Sequence, residues 1–119
     1  MKKVIIIDDD DTLCTLLGEM VELLGYEAFI ADSLKQAKEI FNLHHDEINL
    51  AIIDMNLDDA TGDEVLIAMK EINSDFVAVL ATGMSSELDE KELLDLGFSE
   101  IVNKPYSMDK IHSLLTEHL

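Results

Sequence analysis

The chain has 119 residues, enough for one domain around one core, so we expect a single domain over residues 1–119. Lys and Arg total 8 against 26 Asp and Glu, and the formal net charge of -18 argues against nucleic-acid binding and favours divalent cations and basic partners. No apolar run has the length of a signal peptide or of a membrane span. The single cysteine, Cys14, excludes an intrachain disulfide. We therefore expect a cytoplasmic protein without membrane association.

The first part of the sequence predicts two pairs of a strand followed by a helix. The β-branched run Val4 to Ile7 predicts a strand buried on both faces, and apolar residues at helical spacing then predict a helix that ends at Gly25. Glu27 to Ala31 is a less apolar second strand. Ser33, with Gln36 three residues later, predicts the start of the second helix.

The second part contains the most apolar strand and repeats the alternation. Leu50 to Ile53 predicts a buried strand that ends at Asp54, and a helix is expected after Gly62. Phe76 to Ala81 predicts a fourth strand that ends at Thr82. Ser86 and Asp89 then predict the start of a loosely docked fourth helix, which ends at Gly97 and has the apolar residues Leu88, Leu93, Leu94 and Leu96. A short fifth strand over Glu100 to Asn103 leads to Lys104-Pro105. Ser107 caps the last helix, whose inward residues are Met108, Ile111, Leu114 and Leu115.

Five strands alternating with five helices predict an α/β domain with a parallel sheet, right-handed crossovers and helices on both faces. The three most apolar strands belong in the centre of the sheet. This pattern suits a flavodoxin-like (βα)5 doubly wound five-stranded sheet in the order 2-1-3-4-5, where strands one and three are neighbours. Asp8, Asp9 and Asp54 then converge at the carboxyl edge of the sheet, where Thr82 and Lys104 also lie at strand ends.

Three converging carboxylates need a cation. At about 4 Å each pair repels by about 4 kcal/mol at an effective dielectric constant of 20. Oxygen ligands with room for water are typical of a Mg2+ site. A carboxylate beside a metal ion, a lysine and a hydroxyl is equipped to accept a phosphoryl group.

Asp8-Asp9, Asp54, Thr82 and Lys104-Pro105, in register over the whole chain, resemble the receiver domain of two-component response regulators. The resemblance implies that Asp54 is the phosphoacceptor. It also implies that Thr82 is a switch hydroxyl and that Lys104 is an ion-pair partner followed by a cis bond to Pro105.

The same resemblance implies a cofactor and partners. Mg2+ would be bound by Asp8, Asp9, Asp54 and the backbone carbonyl of Asn56. The phosphodonor would be a histidine kinase or a histidine phosphotransfer domain, and the surface of the fourth helix, fifth strand and fifth helix would contact an effector domain or a second copy. Such a domain is a signalling switch, with self-catalysed phosphorylation and dephosphorylation only.

Two positions depart from the family pattern. The fourth residue after the acceptor is often proline, but here it is Asp58, which predicts a looser loop. An aromatic switch residue is usual near the start of the fifth strand, but here it is Ile101. Because Ile101 has no polar tip to move between water and the interior, we expect the output to depend on a different rearrangement.

Two alternatives remain at the level of the sequence. The segment from Asp8 to Leu13 is similar to the D-x-D-x-T-L opening of haloacid-dehalogenase-type phosphatases, with Asp8 as nucleophile and Asp10 as acid/base. Such enzymes need an acidic pair on a strand after the lysine, and only one helix follows Lys104. The other alternative is a receiver-like binding module that is not phosphorylated. For Asp10 and Asp11, favourable charge at a helix N-terminus is a sufficient explanation.

Overall fold

The computed structural model describes residues 2–83 and 90–119. Within these residues five strands alternate with five helices, as the sequence predicts. The elements are β1 (Lys3–Ile7), α1 (Asp11–Leu23), β2 (Glu27–Ala31), α2 (Leu34–His44), β3 (Ile48–Asp54), α3 (Gly62–Ile72), β4 (Val77–Thr82), α4 (Glu90–Leu96), β5 (Glu100–Asn103) and α5 (Met108–His118).

The five strands form one parallel sheet in the order β2-β1-β3-β4-β5, which confirms the predicted flavodoxin-like topology. Ile7 is in register with Ile53 of β3, so β1 and β3 end side by side. Thr82, the last residue of β4, is in register with Asn103 of β5. The residues that follow all of these strand ends therefore lie along one edge of the sheet.

Alternate residues of the central strands pack against opposite layers of helices. Ile5 and Ile7 belong to a core cluster with residues of α2 and α3, whereas Val4 and Ile6 belong to a second cluster with residues of α1 and α5. This follows from the two-residue period of a strand, which sends neighbouring side chains to opposite faces. Burial of each such side chain contributes about 1.5–3 kcal/mol. The strands that carry the sheet edge are therefore held by a packed core on both faces.

The predicted helix termini are confirmed by their hydrogen bonds. The Leu13 N–H donates to Asp10 Oδ1 at 3.1 Å, and the Gln36 N–H donates to Ser33 Oγ at 3.1 Å. Ser107 caps α5 in the same way, accepting from the Lys110 N–H. After α1 the chain turns at Gly25, which has a φ of 92°.

Some predicted inward positions are wrong. Met108 is 63% exposed, because it is the first residue of α5 and lies over a groove between α1 and α5 instead of facing the sheet. In the described part of α4, Leu93 is buried while Leu94 and Leu96 are exposed. The predicted start of this helix at Ser86 and Asp89, with Leu88, lies outside the described residues.

Among residues 2–83 and 90–119, no helix combines the length and the apolar character that crossing a bilayer requires.

Candidate functional site

Three carboxylates meet where β1 and β3 end. Asp54 is the last residue of β3, and Asp8 and Asp9 directly follow β1. One oxygen from each of the three carboxylates lies within 4.8 Å of the others. Asp8 and Asp54 are 3% and 8% exposed, whereas Asp9 is open to solvent. The structure thus brings together the three acidic residues that the sequence predicts to converge.

Lys104 lies between the two buried carboxylates. Its Nζ donates to Asp8 Oδ2 at 2.7 Å and to Asp54 Oδ1 at 3.0 Å. The backbone N–H of Lys104 donates to the Thr82 carbonyl at 2.8 Å, which fixes the start of this segment against β4. The Lys104-Pro105 peptide bond is cis, as the resemblance implies. The ammonium group is thereby held within reach of any group attached to Asp54.

Asp8 is held through both of its carboxylate oxygens. Oδ1 accepts from the Asp10 N–H at 3.0 Å, and Oδ2 accepts from Lys104. Its backbone carbonyl accepts from the Cys14 thiol, whose pKa is raised to about 12, mainly by burial. Cys14 is therefore a neutral group that holds the backbone of Asp8 through a hydrogen bond.

The electrostatics of the cluster show uncompensated negative charge. Burial raises the pKa of the Asp54 carboxyl, and the hydrogen bond from Lys104 opposes this without cancelling it. Desolvation raises the pKa of Asp9, and the charges of Asp58 and Asp8 raise it further. Burial lowers the pKa of Lys104, but its hydrogen bonds to the two buried carboxylates outweigh that effect and leave the pKa raised. The ammonium is therefore charged and the carboxylates lack a full complement of positive charge.

The two remaining predicted residues lie on the same edge of the sheet as the cluster. Thr82 ends β4 beside Asp54 and is 1% exposed. Asn56 lies two residues beyond Asp54, where it forms an isolated antiparallel bridge with Thr61. Both residues therefore lie at or just beyond the carboxyl end of a strand, on the edge of the sheet that carries Asp54.

The loop after Asp54 is closed, contrary to the expectation that the lack of proline loosens it. The Leu57 N–H donates to the Ala60 carbonyl at 3.0 Å, and the Gly62 N–H donates to the Met55 carbonyl at 2.7 Å. Asp59 is bound to the first turn of α2 through two backbone N–H groups. Hydrogen bonds thus supply the constraint that a proline ring supplies by fixing φ.

Sequence reasoning missed Tyr106 as a neighbour of the site. Burial raises the pKa of its hydroxyl, and the charges of Asp8 and Asp54 raise it further. The hydroxyl oxygen is enclosed, and it has no hydrogen-bond partner among residues 2–83 and 90–119. Its place directly after Lys104-Pro105 is the signal that could have identified it.

The donor set fits a magnesium ion. Three carboxylates carry -3 and one ammonium carries +1, which leaves -2, the charge that one Mg2+ balances. All of the ligand atoms are oxygens, and the exposed side of Asp9 leaves room for water, as Mg2+ requires. A second acidic group around Glu100 differs, because Lys110 and His118 already pair with Glu100 at 2.6 and 3.0 Å.

Fold and site together define a flavodoxin-like α/β domain whose carboxyl edge holds an acidic cluster suited to a cation and a phosphoryl group. The family model for the response regulator receiver domain matches residues 4–116. The chain therefore belongs to the response regulator receiver domain family, whose phosphoacceptor role in two-component systems fits this site.

Curated relatives and solved structures agree with this assignment. The transcriptional regulatory protein CpxR of Escherichia coli (strain K12) is 31% identical over 107 residues, covering 90% of this chain and 44% of CpxR. The chain spans about half the length of the curated relatives it matches. Chemotaxis protein CheY4 of Vibrio cholerae shares the fold with a TM-score of 0.90 at 21% identity, covering 100% of this chain and 99% of that chain. Response regulator protein TrrA of Thermotoga maritima, in complex with Mg2+ and BeF, has a TM-score of 0.86 at 24% identity, with both chains covered completely.

Family membership argues against the phosphatase alternative. Among the described residues 105–119, α5 is the element that follows Lys104, as in the α/β alternation of the receiver family. Asp10, the acid/base in the phosphatase alternative, is engaged as the N-cap of α1.

Proposed function

We propose that Asp54 accepts a phosphoryl group from the phosphohistidine of a histidine kinase or of a histidine phosphotransfer domain. Asp54 is the candidate acceptor because it ends the central strand β3, remains 8% exposed and has cationic and acidic neighbours on its accessible side. In this proposal residues 1–119 act as one receiver unit.

Lys104 and Thr82 stabilise the charge that arrives on Asp54. The Lys104 ammonium, 3.0 Å from Asp54 Oδ1, is placed to pair with a phosphoryl oxygen once the acceptor is esterified. Thr82 ends the neighbouring strand and supplies a hydroxyl that can donate to the same group. Their movement toward the phosphoryl group would shift the population of conformations of α4, β5 and α5.

Asp8, Asp9, Asp54 and the backbone carbonyl of Asn56 would hold Mg2+. When bound, the ion neutralises the cluster and the oxygens of the transferring phosphoryl group. The chain's own residues keep these ligands in place: Lys104 and the Asp10 N–H fix the orientation of the Asp8 carboxylate. The domain then catalyses its own phosphorylation and its slow dephosphorylation.

The output surface comprises α4, β5 and α5, and its partner is an effector domain or a second copy of the chain. Ile101 lies in β5 opposite Leu80 of β4 and is partly buried. Because an aliphatic side chain cannot exchange a polar tip with water, the change at this surface involves repacking of Ile101 and not reorientation of a hydroxyl.

The uncompensated charge of -2 on the cluster of Asp8, Asp9, Asp54 and Lys104 is the observation that carries this proposal. We would test it by incubating the chain with acetyl phosphate and recording the intact mass. With Mg2+ the protein is expected to gain one phosphoryl group, and with EDTA none. The Asp54→Asn variant should gain none, whereas Asp58→Asn, the same change in the same loop, should still be phosphorylated.

Phosphorylation of Asp54→Asn at the wild-type level would refute the assignment of the acceptor. No mass gain in the wild-type protein, with Mg2+ bound, would favour the binding module that is not phosphorylated.

A further inference from the structure

The Asp59 carboxylate joins the phosphoacceptor loop to the N-terminus of α2. Its Oδ1 accepts from the Leu34 N–H at 2.9 Å and its Oδ2 accepts from the Lys35 N–H at 3.2 Å. These donors are 25 and 24 residues away in sequence, so the contact is tertiary. It connects the loop after β3 with the start of a helix on the same side of the sheet.

The contact completes the N-terminus of α2. The first N–H groups of a helix have no partner within the helix and need acceptors from elsewhere. Ser33 Oγ accepts from the Gln36 N–H, and the Ser33 carbonyl accepts from the Ala37 N–H. The N–H groups of Leu34 and Lys35, which come before Gln36 in the helix, donate to the Asp59 carboxylate. These hydrogen bonds lower the pKa of the Asp59 carboxyl, with that from Leu34 making the largest contribution.

The hydrogen bonds between Asp59 and α2 also restrain the loop that carries Asn56, because Asp59 lies in the same loop. Asp59 lies within the turn closed by the hydrogen bond between Leu57 and Ala60, five residues after Asp54 and three after Asn56. The chain has a single proline, Pro105, so the backbone of this loop is not restrained by a proline ring. β3 and the start of α3 anchor the two ends of the loop, through the Asn56–Thr61 bridge and the hydrogen bond from Gly62 to Met55, and Asp59 adds an anchor to α2 at the tip of the turn.

We propose that Asp59 is a positioning residue, which fixes the loop to α2 and thereby holds the Asn56 carbonyl in place for the magnesium ion. This inference rests on the proposed function for the identity of the metal ligand. Asp59 itself does not contact the ion or the phosphoryl group. Its loss would leave the other three ligands unchanged and affect the site only through the loop.

The test compares two variants that remove the same charge. Asp59→Ala removes both acceptors, whereas Asp59→Asn keeps one oxygen that can accept from Leu34. We expect Asp59→Ala to weaken Mg2+ binding by about tenfold, the low end of the cost of losing a partner behind a metal ligand. Asp59→Asn should retain more of the affinity. Titration calorimetry with Mg2+ alone gives these values without phosphorylation.

Amide hydrogen exchange supplies the readout that a general loss of stability would not reproduce. In Asp59→Ala the amides of Leu34 and Lys35 should exchange faster, while that of Gln36, bound to Ser33, should change least. Asp58→Asn is the matched control: it removes an adjacent charge and should leave the exchange of these amides unchanged.

Two results would overturn the proposal. One is wild-type Mg2+ affinity in Asp59→Ala, and the other is an equal loss in Asp59→Ala and Asp59→Asn, which would assign the effect to charge. If the wild-type chain binds Mg2+ with this dependence on Asp59 but never takes a phosphoryl group, the proposed function fails and the role of Asp59 stands.

Discussion

Replacement of Gly62 by alanine should destabilise the folded domain, because Gly62 packs against the backbone of the acceptor Asp54. A Cβ atom at this position would lie 2.7 Å from Leu80 Cδ1, 2.9 Å from the Asp54 carbonyl oxygen and 3.1 Å from Met55 Cα. The leucine side chain can move, but the other two atoms belong to the backbone of β3 and the residue after it. The hydrogen bond from the Gly62 N–H to the Met55 carbonyl, 2.7 Å long, keeps the two segments together.

The expected magnitude follows from these contacts. Overpacking of a close-packed interior typically costs 1–3 kcal/mol, so we expect Gly62→Ala to lose about 2 kcal/mol of unfolding free energy. For a domain of this size that corresponds to a fall of about 8 °C in Tm. Because the Asp54 carbonyl must shift, the rate of acyl-phosphate formation should also fall.

Gly83→Ala is the matched control for this experiment. No atom of the described part of the chain lies within 4 Å of a Cβ built at Gly83. Its effect should be neutral or a stabilisation of about 0.4–1 kcal/mol through the unfolded state. Urea unfolding of both variants at matched pH and salt measures the difference. Equal stability of the two variants would refute the reasoning.

Three further predictions concern charge at the site. Mg2+ at about 100 times its Kd should raise the free energy of unfolding by about 2.7 kcal/mol; stability that responds equally to NaCl of the same ionic strength would contradict this. Asp58→Asn should weaken Mg2+ binding by about 1.4-fold to fivefold, since Asp58 adds to the negative potential at Asp9; an unchanged Kd in calorimetry would count against it. Without metal, the raised pKa of Asp54 means that the folded state binds its proton more tightly than the unfolded state, so Asp54 should add stability as pH falls through its folded-state pKa toward its lower unfolded-state pKa. Urea midpoints measured from neutral pH down through this window should rise less in Asp54→Asn than in the wild type, and an equal rise in both proteins would contradict the prediction.

Much of the fold follows from local patterns that the sequence displays. The uninterrupted apolar runs around Ile6, Ile52 and Val79 predict central parallel strands, because only strands covered on both faces lack alternation. Ser33 and Ser107 mark helix starts through their side-chain chemistry. The convergence of Asp8 and Asp54 then follows from topology alone, since adjacent parallel strands end at the same edge.

The features that the sequence does not reveal depend on contacts between distant segments. Nothing in the order of residues indicates that Asp59 binds α2 or that the charge of Asp58 acts on Asp9, since acidic residues in a loop are mostly exposed. The enclosed hydroxyl of Tyr106 depends on the packing of this residue against a core cluster that includes residues of α1 and α5. Helical spacing predicts an inward Met108, but this first residue of α5 lies beyond the edge of the core and is exposed.

The central claim is that the phosphoryl group is attached to Asp54, and chemical mapping of the acyl phosphate tests it most directly. After reaction with acetyl phosphate and Mg2+, borohydride reduction converts the phosphorylated aspartate to homoserine, which tandem mass spectrometry locates in the peptide. The structure predicts homoserine at position 54. Homoserine at position 8, the nucleophile of the phosphatase alternative, would contradict the account.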